Sequence, residues 1–404
     1  MAVIAPLKRR QNFMPDLVVT HAEELAYLWG QRRAAVHSDT LTLRDLQALH
    51  ERIEAHLQGM LVAGAALPTV LADWLTTDER DEVFAIAYAL LRSGAANHAS
   101  AVSGAFHEAS GPRLDGLRDA LGAAPQTFTE TTLRACLAQR DLARAAAAAA
   151  ALASQRRLAP DEAQLGRLLL SNDITIATLA WRTLAVLDPT AGTVTPPYGD
   201  ALGSPSADVR RAVLGAACWR GESQVAQQVQ RLAEVGDGVG LEWWAATGNT
   251  ALGAPWTSLL TSQPGAMRCA LIARAGHPSG IEMLVDMMSD PDPHTAAAAG
   301  TAFTRMTGLD VEGRRQAAPV SADADDFERE FAGELWLPDS ARAQQLWHHH
   351  AEHWRTGLRW CRGHEISTTL SSGAQATIDL AARWDFGMRA ALAGVRLMAP
   401  PPVI

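Results

Sequence analysis

The sequence predicts an all-α protein: an α-solenoid of stacked helix pairs, opened by an N-terminal helical hairpin and closed by a helical C-terminal extension. Three observations carry that expectation. Apolar residues recur at spacings of three and four along most of the chain, and strand signals are nearly absent. Five turn-forming lead-ins, each followed by a helix of small residues, start at residues 171, 204, 236, 262 and 290, spacings of 33, 32, 26 and 28. A second apolar helix precedes most of them, clearest in EAQLGRLLL, VAQQVQRLAEV and IEMLVDMM. Two helices in about thirty residues is a solenoid period, in which each unit buries its apolar face only against its neighbours.

The hairpin is expected over residues 1–65. In HAEELAYLWGQRRAAV, Leu25, Leu28 and Trp29 fall on the inner side of a helix. In TLTLRDLQALHERIEAHLQGML, the residues Leu43, Leu46, Leu49, Ile53, Leu57 and Met60 form one stripe, and Thr42 with Asp45 resembles a capping box. The loop around Ser38–Asp39–Thr40 is short, which predicts antiparallel packing of the two helices. The repeats are expected over 66–307, with TDERDEVFAIAYAL and CLAQRDLARAAAAA fitting the pattern more loosely upstream. Small residues let neighbouring helices approach closely; alanine is also the best helix former.

From about Gly308 the pattern changes, and 308–337 reads as a polar, acidic linker. In the extension, 338–404, Pro338 and Asp339 announce a helix whose heavy face is Leu346, Trp347, His350 and Trp354 and which Gly357 ends. LRWCRGHEIS is expected as a short extended piece and AQATIDLAARWDFGMRAALAG as a last helix.

The bulk numbers narrow the function. A chain of 404 residues that is 48% hydrophobic can bury a sizeable core. The net charge is −9 and Lys8 is the only lysine, a balance opposite to that of a protein gripping phosphates. The abundant arginine and alanine follow a GC-rich coding bias. Cys136, Cys218, Cys269 and Cys361 form no CxxC pair, against both a zinc ribbon and a disulfide framework. The basic residues near the N-terminus follow a very short apolar stretch, the wrong order for a secretion signal, and Ala145–Ala153 is too short to span a bilayer. The expectation is a soluble, reduced, cytoplasmic protein with no cofactor, no nucleic acid and no membrane partner.

Asp208–Val209–Arg210 followed by Ala212 is close to the HEAT-repeat pattern, in which the arginine ties turns together. That pattern, the two N-terminal helices (above all RIEAHLQGMLVAG at 52–64) and the tail LPD…W…H…W…G.R…G resemble a bacterial HEAT-repeat family of about 400 residues. The resemblance runs from about residue 16 to about residue 390. Genes of that family often sit in type VI secretion clusters beside spike and effector genes. The resemblance therefore implies a non-enzymatic scaffold or adaptor for a spike component or effector, or an immunity role, and carries over no catalytic residue.

Several constellations invite other chemistry. In HHHAEH, His349 and His353 are four apart and could share a helix face, with Glu352 or His364 as a further metal ligand. The HExxH pattern is absent, since position 350 is histidine. A metal-dependent enzyme built on 348–353 is thus the first alternative. His107–Glu108 and His364–Glu365 are only two pairs, far apart, where di-iron HEAT hydroxylases use such pairs in successive repeats. Arg210, Arg211, Arg220 and Arg268 raise a second alternative, a HEAT-like binder of DNA lesions, against the acidic net charge.

For protein binding, His21, Trp29 and His56 stand in the recognisable N-terminal segments, amid Glu23, Glu24, His50, Glu51 and Glu54. His50 could pair with Glu54, and Arg52 shares a side with His56. Trp243 and Trp244 are adjacent, so one of them is expected to leave the core stripe; Trp219 lies in a neighbouring unit, beside Arg210 and Arg211.

Overall fold

The computed structural model describes residues 13–124, 127–159, 162–189, 196–248, 254–320, 325, 327, 333–354 and 358–404. Helices make up 69% of the structure and strands 5%, which establishes an all-α class. The chain divides into two compact units. The first holds Met1–His37, Arg44–Ala216 and Pro401–Ile404; the second holds Ser38–Leu43 and Ala217–Pro400. The division falls inside the span expected to be one run of repeats.

In the first unit the helices are α1 (Pro15–Ala35), α2 (Leu43–Leu61, its first residue in the second unit), α3 (Leu67–Val70), α4 (Arg80–Arg92), α5 (Ala96–Glu108), α6 (Gly111–Ala123), α7 (Thr127–Leu137), α8 (Leu142–Ser154), α9 (Ala163–Leu169), α10 (Ile174–Val186) and α11 (Tyr198–Leu202); α12 (Ala207–Trp219) crosses the division, with 217–219, including Trp219, in the second unit. α4 packs between α1 and α6, α6 packs on α8, and α8 on α10, while α5, α7 and α9 fill in beside them. The composition follows from this layering. Helices flanked on both sides are apolar all round: Val83–Leu91 in α4 and Ala145–Ala153 in α8 are buried without a break. Gly116 lets α6 meet α4, because a Cβ there would stand 2.3 Å from the Arg80 carbonyl oxygen and 3.0 Å from Val83 Cβ. Gly116→Ala is therefore expected to cost about 1–3 kcal/mol through backbone displacement, read as a lower urea midpoint. A change under about 0.5 kcal/mol would show that the interface is looser than its geometry.

A continuous aromatic stack joins α1 to α4. Trp29 lies on Phe84 at 3.7 Å and 7°, and Phe84 on Tyr88 at 5.2 Å. Arg32 covers the Trp29 end at 4.5 Å, and Arg92 the Tyr88 end at 5.4 Å. The expected antiparallel pairing of α1 and α2 is seen in their side chains: His21 meets His56 near one end and Arg32 meets His50 near the other. The buried stripe of α2 is narrower than expected, comprising Leu46, Ile53, Leu57 and Met60, while Leu43 is exposed.

The lead-ins recur for a local reason. Asp141, Asp173, Asp237 and Asp292 each stand at an N-cap and accept from backbone N–H groups of the first turn. The opposite helix ends, which expose carbonyls, are met by guanidinium groups. Arg113 donates to Leu75 O, Arg144 to Phe106 O and Ala109 O, Arg167 to Leu137 O, and Arg268 to Leu260 O, Thr261 O and Gln263 O. A forked, always-charged donor suits a cluster of C-terminal carbonyls better than an ammonium does.

In the second unit, α13 (Val225–Glu234) packs on α14 (Gly238–Thr247), α14 on α16 (Gly265–Ala275) and α16 on α18 (Pro293–Thr307), with α15 (Ala254–Thr261) against α16 and α17 (Ile281–Met287) against α18. Where a polar linker was expected, β1 (Glu312–Ala317) and β2 (Glu334–Pro338) pair antiparallel. Leu335 and Leu337 alternate toward the protein, and Gly300 of α18 makes room for Pro338. Every residue of β1 is exposed, which is why the segment reads as a loop.

The extension follows as α19 (Ser340–His350), β3 (Trp360–Cys361), β4 (His364–Glu365), α20 (Ser372–Thr377) and α21 (Leu380–Leu392). Asp339 caps α19 as expected. The single last helix is instead two, because Ile378 is extended and Asp379 starts a new N-cap. Gly357, expected to end α19, lies outside the described residues, and that helix stops earlier, at His350.

Candidate functional site

Three of the tryptophans and arginines singled out for partner binding are structural. Trp29 is 4% exposed, its ring in the aromatic stack and its Nε1 donating to Asp119 at 3.4 Å. Trp219 is 5% exposed and meets Gly387 of α21. Neither is a surface anchor: each follows the apolar stripe of its helix inward. Arg210 Nη1 donates to Ser204 O at 2.9 Å and Pro205 O at 3.1 Å, the turn-tying role of its sequence pattern. Arg211 is more exposed and pairs with Asp208 at 3.2 Å.

Trp243 and Trp244 remain half-exposed on α14. Trp244 meets Trp256 edge-on at 5.1 Å and lies over the second unit's core. Trp243 has the Arg274 guanidinium 5.9 Å from its ring centroid. Both rings are partly exposed; Trp244 packs on the core cluster, and Trp243 lies beside Arg274.

His21 and His56 meet Nδ1 to Nδ1 at 3.2 Å, both half-buried. Burial, then His21 and Arg52, lower the pKa of His56 against the opposing pull of Glu24. His50 does not pair with Glu54. It accepts from Arg32 Nε at 2.7 Å, which requires a neutral ring, and burial and Arg32 lower its pKa accordingly. Glu54 instead holds Arg92 at 2.9 Å.

The 348–353 cluster is dispersed. α19 ends at His350 and Ala351–His353 forms a 3₁₀ turn, so His349 and His353 lack the common helical face that their spacing suggested. His349 turns edge-on to His350 at 4.8 Å, His353 lies 5.7 Å from Trp360, and Glu352 is exposed. Among the described residues, no group of three or more His, Cys, Asp or Glu is arranged to hold a metal ion. His107 lies 3.5 Å from the Cys136 thiol, and Glu365 accepts from Ser367 N at 2.6 Å, so each His–Glu pair is engaged locally. All four cysteines are free and buried, and burial raises every thiol, Cys269 to about 11 and Cys361 to about 12. No thiolate nucleophile is prepared among them.

The densest polar assembly was not foreseen in the sequence. It fastens the extension to the helices of the second unit. Arg359, 5% exposed, donates to the C-terminal carbonyls of two helices, Ala245 O at 2.6 Å and Ala275 O at 2.8 Å, and also to Gly248 O. Arg389 reaches Ala246 O at 3.0 Å and Ile366 O at 3.0 Å. Arg274 pairs with Asp385 at 2.8 Å and Arg305 with Asp379 at 2.9 Å, through two bonds each. Burial would raise the Asp385 carboxyl, but Arg274 holds it below its ordinary value. Burial, with Arg359 and Arg389, pushes the pKa of His277 down to about 4. Ser38–Leu43 joins the same unit: Leu380 N donates to Leu41 O, Ala381 N to Ser38 O and Arg362 Nη2 to Thr40 O.

No family model, no curated protein and no solved structure matches this chain. No helix among the described residues is long and apolar enough to cross a membrane.

Proposed function

We propose that the protein is a HEAT-like α-solenoid that acts as a non-enzymatic scaffold or adaptor for a protein partner. The solenoid reading rests on the recurrence of one local plan: an aspartate cap at the start of α8, α10, α14 and α18, and arginines on the carbonyl ends of nearby helices. Such a plan repeats a surface as well as a core, and solenoids bind along that surface. The observation that carries the binding reading is Trp243, a large aromatic ring left half-exposed on α14. The family resemblance supplies the partner class, a type VI secretion spike component or an effector, in an accessory or immunity role.

The test is affinity purification of the full chain from its native host, with mass spectrometry of what accompanies it. A stoichiometric spike component or effector is expected, retained by Arg211→Ala and weakened at least about tenfold by Trp243→Ala at unchanged melting temperature. Recovery of the chain alone while candidate partners are expressed, or equal capture by both variants, would overturn the reading.

A further inference from the structure

The His21–His56 pair is unlike the other histidines. Two imidazole nitrogens from separate helices stand 3.2 Å apart, their ring centroids at 5.2 Å. Two nitrogens on one tetrahedral zinc ion, at about 2.0–2.1 Å each, are separated by about 3.3 Å. The approach is built into the backbone. A Cβ on Gly59 would stand 2.4 Å from His21 Cδ2 and 2.5 Å from its Nε2, so the glycine backs that edge of the ring and Nδ1 is left facing His56. Both rings keep partial contact with solvent, which gives an ion an approach and room for water ligands.

We propose that His21 and His56 form a two-histidine site for a borderline divalent cation, with zinc as the reference ion, clasping α1 to α2. The ion takes one Nδ1 from each ring, and the proton that the pair shares moves to an Nε2 within the neutral rings. Glu24, one turn beyond His21, contributes a nearby negative charge that acts on His56, and water completes the shell. Arg52 opposes the ion and sets its affinity below that of a closed structural site.

The experiment uses the full chain without a histidine tag, carrying His349→Ala and His353→Ala to silence the exposed cluster. Zinc chloride is titrated calorimetrically at pH 7.5, and melting is followed with and without the ion. One equivalent is expected to bind and to raise the melting temperature. His21→Ala and His56→Ala are each expected to weaken binding at least about tenfold, while His50→Ala, on the same helix, leaves it within about twofold. Absence of binding at millimolar zinc, or binding unchanged by either substitution, would overturn the site and leave the pair a hydrogen bond. Should one alanine variant unfold, His56→Gln read by the zinc-induced shift of the His21 ring resonances decides between the same outcomes. Partner capture is a separate readout, so failure here leaves the scaffold reading standing.

Discussion

Asp119→Ala is expected to destabilise the first unit by about 3–5 kcal/mol. The carboxylate is fully buried on α6. One oxygen accepts from Arg80 at 2.7 and 3.0 Å and from Trp29 at 3.4 Å; the other accepts from Arg118 at 2.8 and 3.0 Å. Removing it strands the Arg80 guanidinium and an indole N–H in the layer where α1, α4 and α6 meet, and takes from Arg118 one of its two carboxylates. Arg118 retains Asp115, whereas Arg80 is left with no carboxylate. Urea unfolding followed by far-ultraviolet dichroism measures the loss, and hydrogen exchange should place it in 80–92 and 111–123. Asp119→Asn keeps acceptor capacity and should fall between wild type and alanine. The contrast is Arg211→Ala, which breaks an exposed pair worth at most about 0.5 kcal/mol. Equal effects of the two alanine substitutions would refute the central place given to Asp119.

Acidification is expected to remove about 3 kcal/mol from the second unit between pH 6.5 and pH 4, through His277. The ring is 4% exposed and its pKa falls from 6.5 to about 4, so the folded state holds it neutral while the unfolded chain takes up a proton. A base with a depressed folded value contributes stability that is complete above 6.5. That stability is lost as the pH falls from there toward 4. His50 and His56 act in the same direction in the first unit. Asp385 has a lowered folded value as well, and its contribution persists above the ordinary carboxylate range and fails only below it. Urea midpoints measured from pH 7.5 to 4.5 test this. His277→Gln should flatten the slope of the second unit; an unchanged slope would remove His277 as its source.

The local parts of this fold are legible in the sequence because they are caused locally. An aspartate placed one residue before a run of small apolar residues makes its own N-cap, so the lead-ins at Asp173, Asp237 and Asp292 could be found by eye. The arginine at 210 is recognisable for the same reason, since its acceptors lie five and six residues away. The β1–β2 pair was missed because its outer strand buries nothing, leaving no period-two signal. The 348–353 histidines misled because spacing implies a shared face only while the helix continues, and this one stops at His350. Arg359 gives no sign in its own neighbourhood, since the carbonyls it holds are 84 and 114 residues away. The His21–His56 contact combines both cases: each helix was legible and each histidine notable, but their meeting depends on a glycine whose role is visible only in three dimensions.

The arginine bonds at helix ends also fix when each part of the chain can form during synthesis. In the first unit they span 30 to 38 residues, about one helix pair, so each is available once the next pair has left the ribosome. In the second unit the bonds of Arg359, Arg274 and Arg389 between the extension and α14 or α16 span 84 to 143 residues, and Arg362 reaches back 322 residues to Thr40. Those helices emerge with their carbonyl ends uncovered and wait for the last tenth of the chain. A nascent chain halted before residue 359 should therefore show a protease-resistant first unit beside a second unit that is still cut, and release of the full chain should protect both.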